Sequence, residues 1–407
     1  MKYRILFITQ WFDPEPTTKG LVFVNELRNN GFDVEVVTGF PNYPMGKIYP
    51  GYKIKFIQRD YIEGVDVIRL PLYPNHSVGI FGRTLNYLSF AISVIIYGLL
   101  NRRKYDLIYV YHPPLSVSVA ASVIKYLKKV PMVCDIQDIW PDTLVATRSI
   151  RNRYLIHLID MLCHYVYNVS DKLIVLSPGF KKLIVTRGIP KDKIDIIPNW
   201  ADEKSILLDN IQLDKSFPPK HMFKILYAGN VGLAQRLDTV LEAAEIITKL
   251  NTRVQFIILG DGVDLVRLKK KASHMDLPNV TFIPQVPMQE VGSYLARADV
   301  LLISLKKDPL FEITIPSKTQ AYMAAGKPIL MSVSGDASDL VVLSQCGVVS
   351  KPEDPSDLAK AVLALEAAGS EALDVMGLNG KNYYRDELSC QNGVQKFCSI
   401  FISLIEK

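Results

Sequence analysis

The sequence predicts an α/β chain made of two doubly wound parallel-sheet domains. Short runs rich in Val, Ile and Leu recur in both halves. Unbroken apolar runs of this kind suit strands covered on both faces. Helix-length amphipathic stretches separate them, the pattern of successive βαβ units. The 407 residues leave room for two or three domains, at roughly 150 residues each.

The strand runs of the first half are "RILFIT", "VEVVTG", "DLIYVY", "MVCDIQ", "KLIVLS" and "IDIIPN". The rhythm breaks over residues 201–222, "ADEKSILLDNIQLDKSFPPKHM", which are polar, carry paired prolines and show no clear period. That is a linker signal. The second half resumes with "KILYAG", "VQFIILG", "VTFIPQ", "VLLISL" and "PILMSV". The expected organisation is a domain over 1–200, a linker over 201–222, a second domain over 223–385 and a C-terminal helix over 386–407. The tail "VQKFCSIFISLIEK" has an apolar helical face that can dock on either domain.

Composition sets bounds. Nearly half the residues are apolar and 22% are charged, as in an ordinary globular chain. The formal charge is +6, a mild excess whose distribution matters more than its size. Five cysteines, an odd number with no CxxC pair, point to buried thiols in a reducing compartment. The start "MKYRILFITQWF" lacks the pattern of a signal peptide, so a cytoplasmic location is expected. No zinc spacing, G-x-S-x-G elbow or P-loop occurs. The first strand is not followed by G-x-G-x-x-G, which excludes the dehydrogenase fingerprint. Asp135 and Asp138 alone make a poor metal site, and no metal is expected.

In open parallel sheets, ligands bind beyond the carboxyl ends of the strands. Trp11, Trp140 and Trp200 all fall at such ends. Lys19 and Gly20 sit at a helix entry, as ligand contacts or as a simple turn. Gly229, Asn230 and Gly232 form a glycine-rich loop, followed by Gln235 and Arg236. Such a loop before a helix offers backbone N–H groups and a dipole to an anion. Gly260, Asp261 and Gly262 repeat the device. In "IPSKT", Ser317 reads as a helix N-cap and Lys318 as a mobile cation. Three helix starts at one edge favour a phosphate-bearing ligand. In the first half, Asp138 reads as a base or acceptor at a strand exit, or else as a turn residue. His112 reads as a site or a structural histidine.

Residues 84–100, "TLNYLSFAISVIIYGLL", are uncharged and run into "NRRK". Residues 81–130 hold seven basic residues and one acid. An anionic membrane surface contacted through 83–104 and 125–129 fits this pattern; a buried core helix with a solvated basic end is the alternative. No nucleic-acid platform is present.

Beyond these readings, the chain resembles the retaining GT-B glycosyltransferases of the group 1 type. The likeness spans nearly its whole length. It is carried by "PTTKGLVFVNELRNNGFDVEVVTGFPNYPMGKIYPGY", "DIQDIWPDT", "GIPKDKIDIIPNWAD", "YAGNVGLAQRLDTVLEAA", "LGDG" and "IPSKTQAYMAAGKPIL". It is most similar to the WbuB-like enzymes of O-antigen and capsule clusters, associated with N-acetyl-L-fucosamine transfer. The resemblance implies two Rossmann-like domains facing a central crevice. The first would bind the acceptor, a polyprenyl-diphosphate-linked sugar, at the cytoplasmic face of the inner membrane. The second would bind a sugar nucleotide, UDP-linked, without cofactor or metal.

Carried over by position, Asn230, Gln235 and Arg236 fall where the family contacts the diphosphate, and Lys318 falls near that site. Lys19, Gly20, Gly229, Gly260, Asp261, Pro316 and Ser317 are read as further donor contacts. Gln285 and Val286 meet the base through backbone groups. Asp138, Arg236, Lys318 and Glu312 form the catalytic set. Trp11, His112, Gln137 and Trp140 line the acceptor side. Gln137 stands where many relatives have a histidine before the aspartate. Ala321 stands where the family has the second of two glutamates eight apart, whereas Glu312 and Gln320 are eight apart one position earlier. Glu312 is then the remaining acid for the donor. A sugar-nucleotide 2-epimerase, or a donor-binding protein without turnover, shares these features.

Overall fold

A computed structural model describes residues 3–75, 80–147, 149–206, 213–250 and 253–407. The chain forms two compact units. One comprises Met1–Pro198 with Gly393–Lys407, the other Asn199–Asn392.

The first unit is built on eight strands: β1 (Arg4–Ile8), β2 (Asp33–Gly39), β3 (Gln58–Ile62), β4 (Val65–Leu70), β5 (Leu107–His112), β6 (Met132–Ile136), β7 (Lys172–Val175) and β8 (Ile194–Ile196). Their order is β3-β4-β2-β1-β5-β6-β7-β8. All pairs are parallel except β3 with β4. The β3–β4 hairpin escapes the apolar-run criterion because β3, "QRDYI", is a polar edge strand with alternating exposure. Its turn, Glu63–Gly64, has φ of 49° and 82°, the two positive values that a tight two-residue hairpin needs. The helix Ile80–Leu100 turns Asn86, Phe90, Val94 and Tyr97 inward. Gly98 lets it approach the helix Leu115–Lys128, since a Cβ there would lie 2.5 Å from Ile124 Cγ1.

The tail, open between two docking partners in the sequence, joins the first unit. Phe397 packs edge-to-face with Phe23 and Tyr109 at ring separations of 5.2 and 5.6 Å, and Phe401 with Phe32 at 6.0 Å.

The second unit has six strands: β9 (Phe223–Ala228), β10 (Val254–Leu259), β11 (Val280–Ile283), β12 (Val300–Ser304), β13 (Ile329–Ser332) and β14 (Gly347–Val349). All are parallel, in the order β11-β10-β9-β12-β13-β14. Strand order reverses between β9 and β12, as it does between β1 and β5 in the first sheet. Such switch points are where ligands enter.

The segment expected to be a linker is instead part of the second unit. Ala201 is buried, and Leu213 and Phe217 pack on the core. The helix Glu203–Ile206 lies so close to the helix Met288–Arg297 that a Cβ on Gly292 would meet the Ser205 and Ile206 carbonyls. Residues 207–212 of that segment fall outside the described residues. All five cysteines are buried.

Candidate active site

The second unit's switch point gathers the loops after β9 and β10 with the start of the helix Ser317–Ala324. Gly229 has φ +133°, and a Cβ there would lie 2.5 Å from Lys318 Cε. Gly260 has φ +145°, and its missing Cβ leaves room for the Gly229 carbonyl. Gly262 likewise makes way for the Val231 carbonyl. Lys318 Nζ sits 3.9 Å from the centre of the Tyr227 ring and donates to Tyr227 Oη at 2.5 Å. Tyr227 Oη in turn donates to the Asn230 carbonyl at 2.5 Å. No carboxylate pairs with Lys318 among the described residues. Burial without a counter-charge pushes its ammonium down to about 7. A half-buried cation held over a glycine, lacking an anion, is a site for one.

Three N–H groups of the glycine loop are already engaged within the protein. Gly229 N donates to Leu259 O, Val231 N to Asp261 O, and Gly232 N to Gln235 Oε1. Gln235 is thereby a loop clasp, with Asn230 beside it. Ser317 is not an N-cap. Pro316 holds that place, and Ser317 is the first helical residue. The N–H groups of Ser317 and Lys318 therefore have no intrahelical acceptor and remain for a ligand.

Arg236 follows a 3-10 turn, Leu233–Gln235, rather than opening the next helix. It is left-handed at φ +50°, and its Nε pairs with Glu353 Oε1 at 3.1 Å. Glu353 is itself left-handed at φ +59°. Two non-glycine residues with positive φ, joined by one ion pair, are uncommon. Asp261 and Gln285 are exposed and Val286 is half-buried, in the loops after β10 and β11.

Glu312 is exposed at the end of the short helix Pro309–Glu312, and Gly335 lies against its backbone. Gln320 cannot serve a ligand. It is buried, and its amide nitrogen donates to the carbonyls of Pro316 at 3.0 Å and Ser317 at 3.2 Å. Ala321 packs on the core. Glu312 is therefore the acid of the eight-apart pair that solvent reaches.

In the first unit the loops after β1, β5 and β6 meet at its switch point. Gln137 N donates to His112 O at 2.8 Å, and His112 stands edge-on to Trp140 at 5.9 Å. His112 Nδ1 contacts Ser118 Oγ at 3.1 Å, while Nε2 is buried without a partner. Burial drops its pKa to about 4, so the ring is neutral near pH 7. Asp138 makes no hydrogen bond or ion pair among the described residues, and burial raises its pKa. Gln137 Nε2 is turned inward to Asp135 Oδ1 at 2.7 Å. Trp11 rests on Tyr43 at 5.1 Å and Tyr87 at 6.4 Å.

Lys19 and Gly20, expected at the donor, serve the first unit's interior. Lys19 is fully buried, its ammonium over the rings of Phe23 and Phe397, and its charge opposes the buried Asp135. Gly20 makes room for the Asp13 carboxylate, which accepts from Leu21 N at 2.6 Å. Sequence reasoning passed over Glu15. It is buried and accepts from the N–H groups of Phe12, Asn42 and Tyr43, with desolvation raising its pKa to about 7. A lone glutamate in a proline-rich loop carries no pattern that marks it.

Among known proteins, residues 21–200 match the glycosyl transferase 4-like domain and residues 210–383 match glycosyl transferases group 1. The chain is 25% identical over 297 residues to the probable glycosyltransferase WbjE of Pseudomonas aeruginosa, covering 69% of this chain and 72% of that one. It is 27% identical over 333 residues to the putative colanic acid biosynthesis glycosyl transferase WcaI of Escherichia coli K12, covering 77% and 79%. Its fold matches Anabaena Alr3699/HepE, solved in complex with UDP, with a TM-score of 0.67 at 14% identity, covering 99% and 100%. With both of its domains matched and two parallel sheets of Rossmann type in place, the chain belongs to the group 1 glycosyltransferases of GT-B fold.

Proposed function

We propose that the protein transfers a sugar, an N-acetylated deoxyhexosamine or N-acetylhexosamine, from a UDP-sugar to a polyprenyl-diphosphate-linked saccharide, with retention of configuration. The step belongs to surface-polysaccharide synthesis, and the protein is peripheral on the cytoplasmic face of the inner membrane. The observation that carries the donor half is Lys318, a cation seated on Tyr227 over Gly229 with no carboxylate partner among the described residues. A diphosphate fits that cradle, with the N–H groups of Ser317 and Lys318 beside it. HepE, of the same fold, was solved with UDP, and WcaI is named for colanic acid biosynthesis.

In this mechanism Lys318 and the helix start stabilise the departing diphosphate, an electrostatic contribution. Arg236 adds a second cation once it leaves Glu353. The acceptor hydroxyl attacks from the leaving-group face and passes its proton to the departing phosphate oxygen. Asp138, without a partner among the described residues, accepts a hydrogen bond from a sugar hydroxyl. The test offers a panel of UDP-sugars with a polyprenyl-diphosphate-sugar acceptor and determines the product anomer by NMR. A retained anomer is expected. Inversion, epimerised donor without transfer, or UDP binding without any turnover would overturn the reading.

A further inference from the structure

The segment that leads into and opens β3 reads "GYKIKFIQR" over residues 51–59 and contains no acid. Ile54, Phe56 and Ile57 are 43%, 69% and 40% exposed, with Lys53, Lys55 and Arg59 exposed among them. Beside this loop, the helix Ile80–Leu100 turns outward a stripe of Leu85, Leu88, Ile92, Ile96 and Leu99 at helical spacing. Phe81–Leu100 is long and apolar enough to cross a membrane, yet its inner stripe is committed to the first unit's core. An interfacial position suits such a helix.

Loop and helix enclose a groove of about 320 Å³, walled by Phe56, Ile57, Leu70, Pro71, Ile96 and Leu100. Arg59 and Arg102 stand at it. Their guanidinium groups make no hydrogen bond or ion pair among the described residues. Three other basic residues of this flank are engaged. Arg103 pairs with Glu35 and Asp66, Lys125 with Asp171, and Lys128 with the Asn101 carbonyl. Single exposed apolar residues are ordinary, but a contiguous apolar groove rimmed by unpaired cations is not.

We propose that this groove takes an acyl chain of an anionic phospholipid, with Arg59 and Arg102 on its phosphate, seating the first unit in the bilayer interface. Charge decides the occupant. Residues 51–59 and 80–104 carry seven cations and no acid, so a second copy of this face would meet its own charge. The proposal rests on the membrane-borne acceptor of the preceding reading and adds to it a lipid-chain site that includes the loop.

The test uses the full chain with sedimentable vesicles of phosphatidylcholine, alone or mixed with phosphatidylglycerol. The wild type is expected to bind the mixed vesicles far better. The double variant Phe56→Ser/Ile57→Ser should lower that binding at least about tenfold. Arg59→Gln/Arg102→Gln should lower it about 30-fold and leave binding to phosphatidylcholine unchanged. In Phe56→Trp, lipids brominated along the acyl chain should quench the new emission. Transfer to a short water-soluble acceptor should stay unchanged in every variant, which separates this site from the reaction. Wild-type protein that ignores anionic vesicles would overturn both the groove and the membrane seating. Wild-type binding that survives both double variants, or an unquenched Trp, would overturn the groove alone. Dissociation of a dimer by Phe56→Ser/Ile57→Ser would assign the face to a second copy and overturn the proposal.

Discussion

Lys318 has a depressed pKa of about 7 because its ammonium is buried without an anion. A bound diphosphate restores the charge balance and favours the protonated form. UDP binding should therefore take up a proton above pH 7 and weaken as pH rises further. Calorimetry in buffers of differing ionisation enthalpy reads this directly. Lys318→Gln should flatten the pH profile and weaken UDP about 10- to 100-fold, the range for a charge-assisted hydrogen bond. A pH dependence that persists in the variant would refute the assignment. In the free protein the unfolded chain holds this proton up to about 10.4, so the group adds stability as pH rises from 7 towards that value. Arg236 separates activity from stability. Its left-handed backbone costs roughly 1 kcal/mol, and its exposed ion pair with Glu353 returns at most about as much. Arg236→Gly should thus unfold no earlier than the wild type on heating, yet turn over more slowly; unchanged turnover would remove Arg236 from the mechanism. Residue type and spacing pointed to Lys318, but left-handed geometry at Arg236 and the buried roles of Lys19 and Gln320 depend on contacts distant in sequence.

At the scale of elements, the strands legible in advance were those with unbroken apolar runs, because burial on both faces leaves a signal in every residue. The β3–β4 hairpin left none: β3 alternates at an edge, and its Glu-Gly turn is not a strong turn dipeptide. Residues 201–222 misled for a related reason. Their anchors, Ala201, Leu213 and Phe217, are too sparse to show a period. Glycine-to-alanine exchange tests how the loops are stacked. Gly260→Ala would place a methyl group on the Gly229 carbonyl at a φ that side chains avoid. It should destabilise the second unit by roughly 3 kcal/mol or more and abolish UDP binding, as urea unfolding and titration would show. In the first unit, Glu15→Ala leaves three N–H groups, two of them buried, without their acceptor and should cost about 2–4 kcal/mol. A loss under 1 kcal/mol in urea unfolding would show that water replaces the carboxylate.

At the scale of the molecule, two units with separate cores predict two transitions in calorimetry. UDP should raise only the one belonging to Asn199–Asn392, through its preferential binding to the folded state. A UDP-induced shift of both transitions together would show that the units melt as one. The sequence made two domains plain, since the same strand rhythm starts twice. It left the tail undecided, because an apolar helical face names no partner. That tail carries a consequence for synthesis on the ribosome. Phe397 and Phe401 complete a core begun by Phe23, Phe32 and Tyr109, which lie far earlier in the chain. The second unit is complete in sequence before the first has its closing helix, so it is expected to mature first. Until residues 393–405 emerge, the nascent first unit exposes an aromatic surface of the kind that chaperones hold.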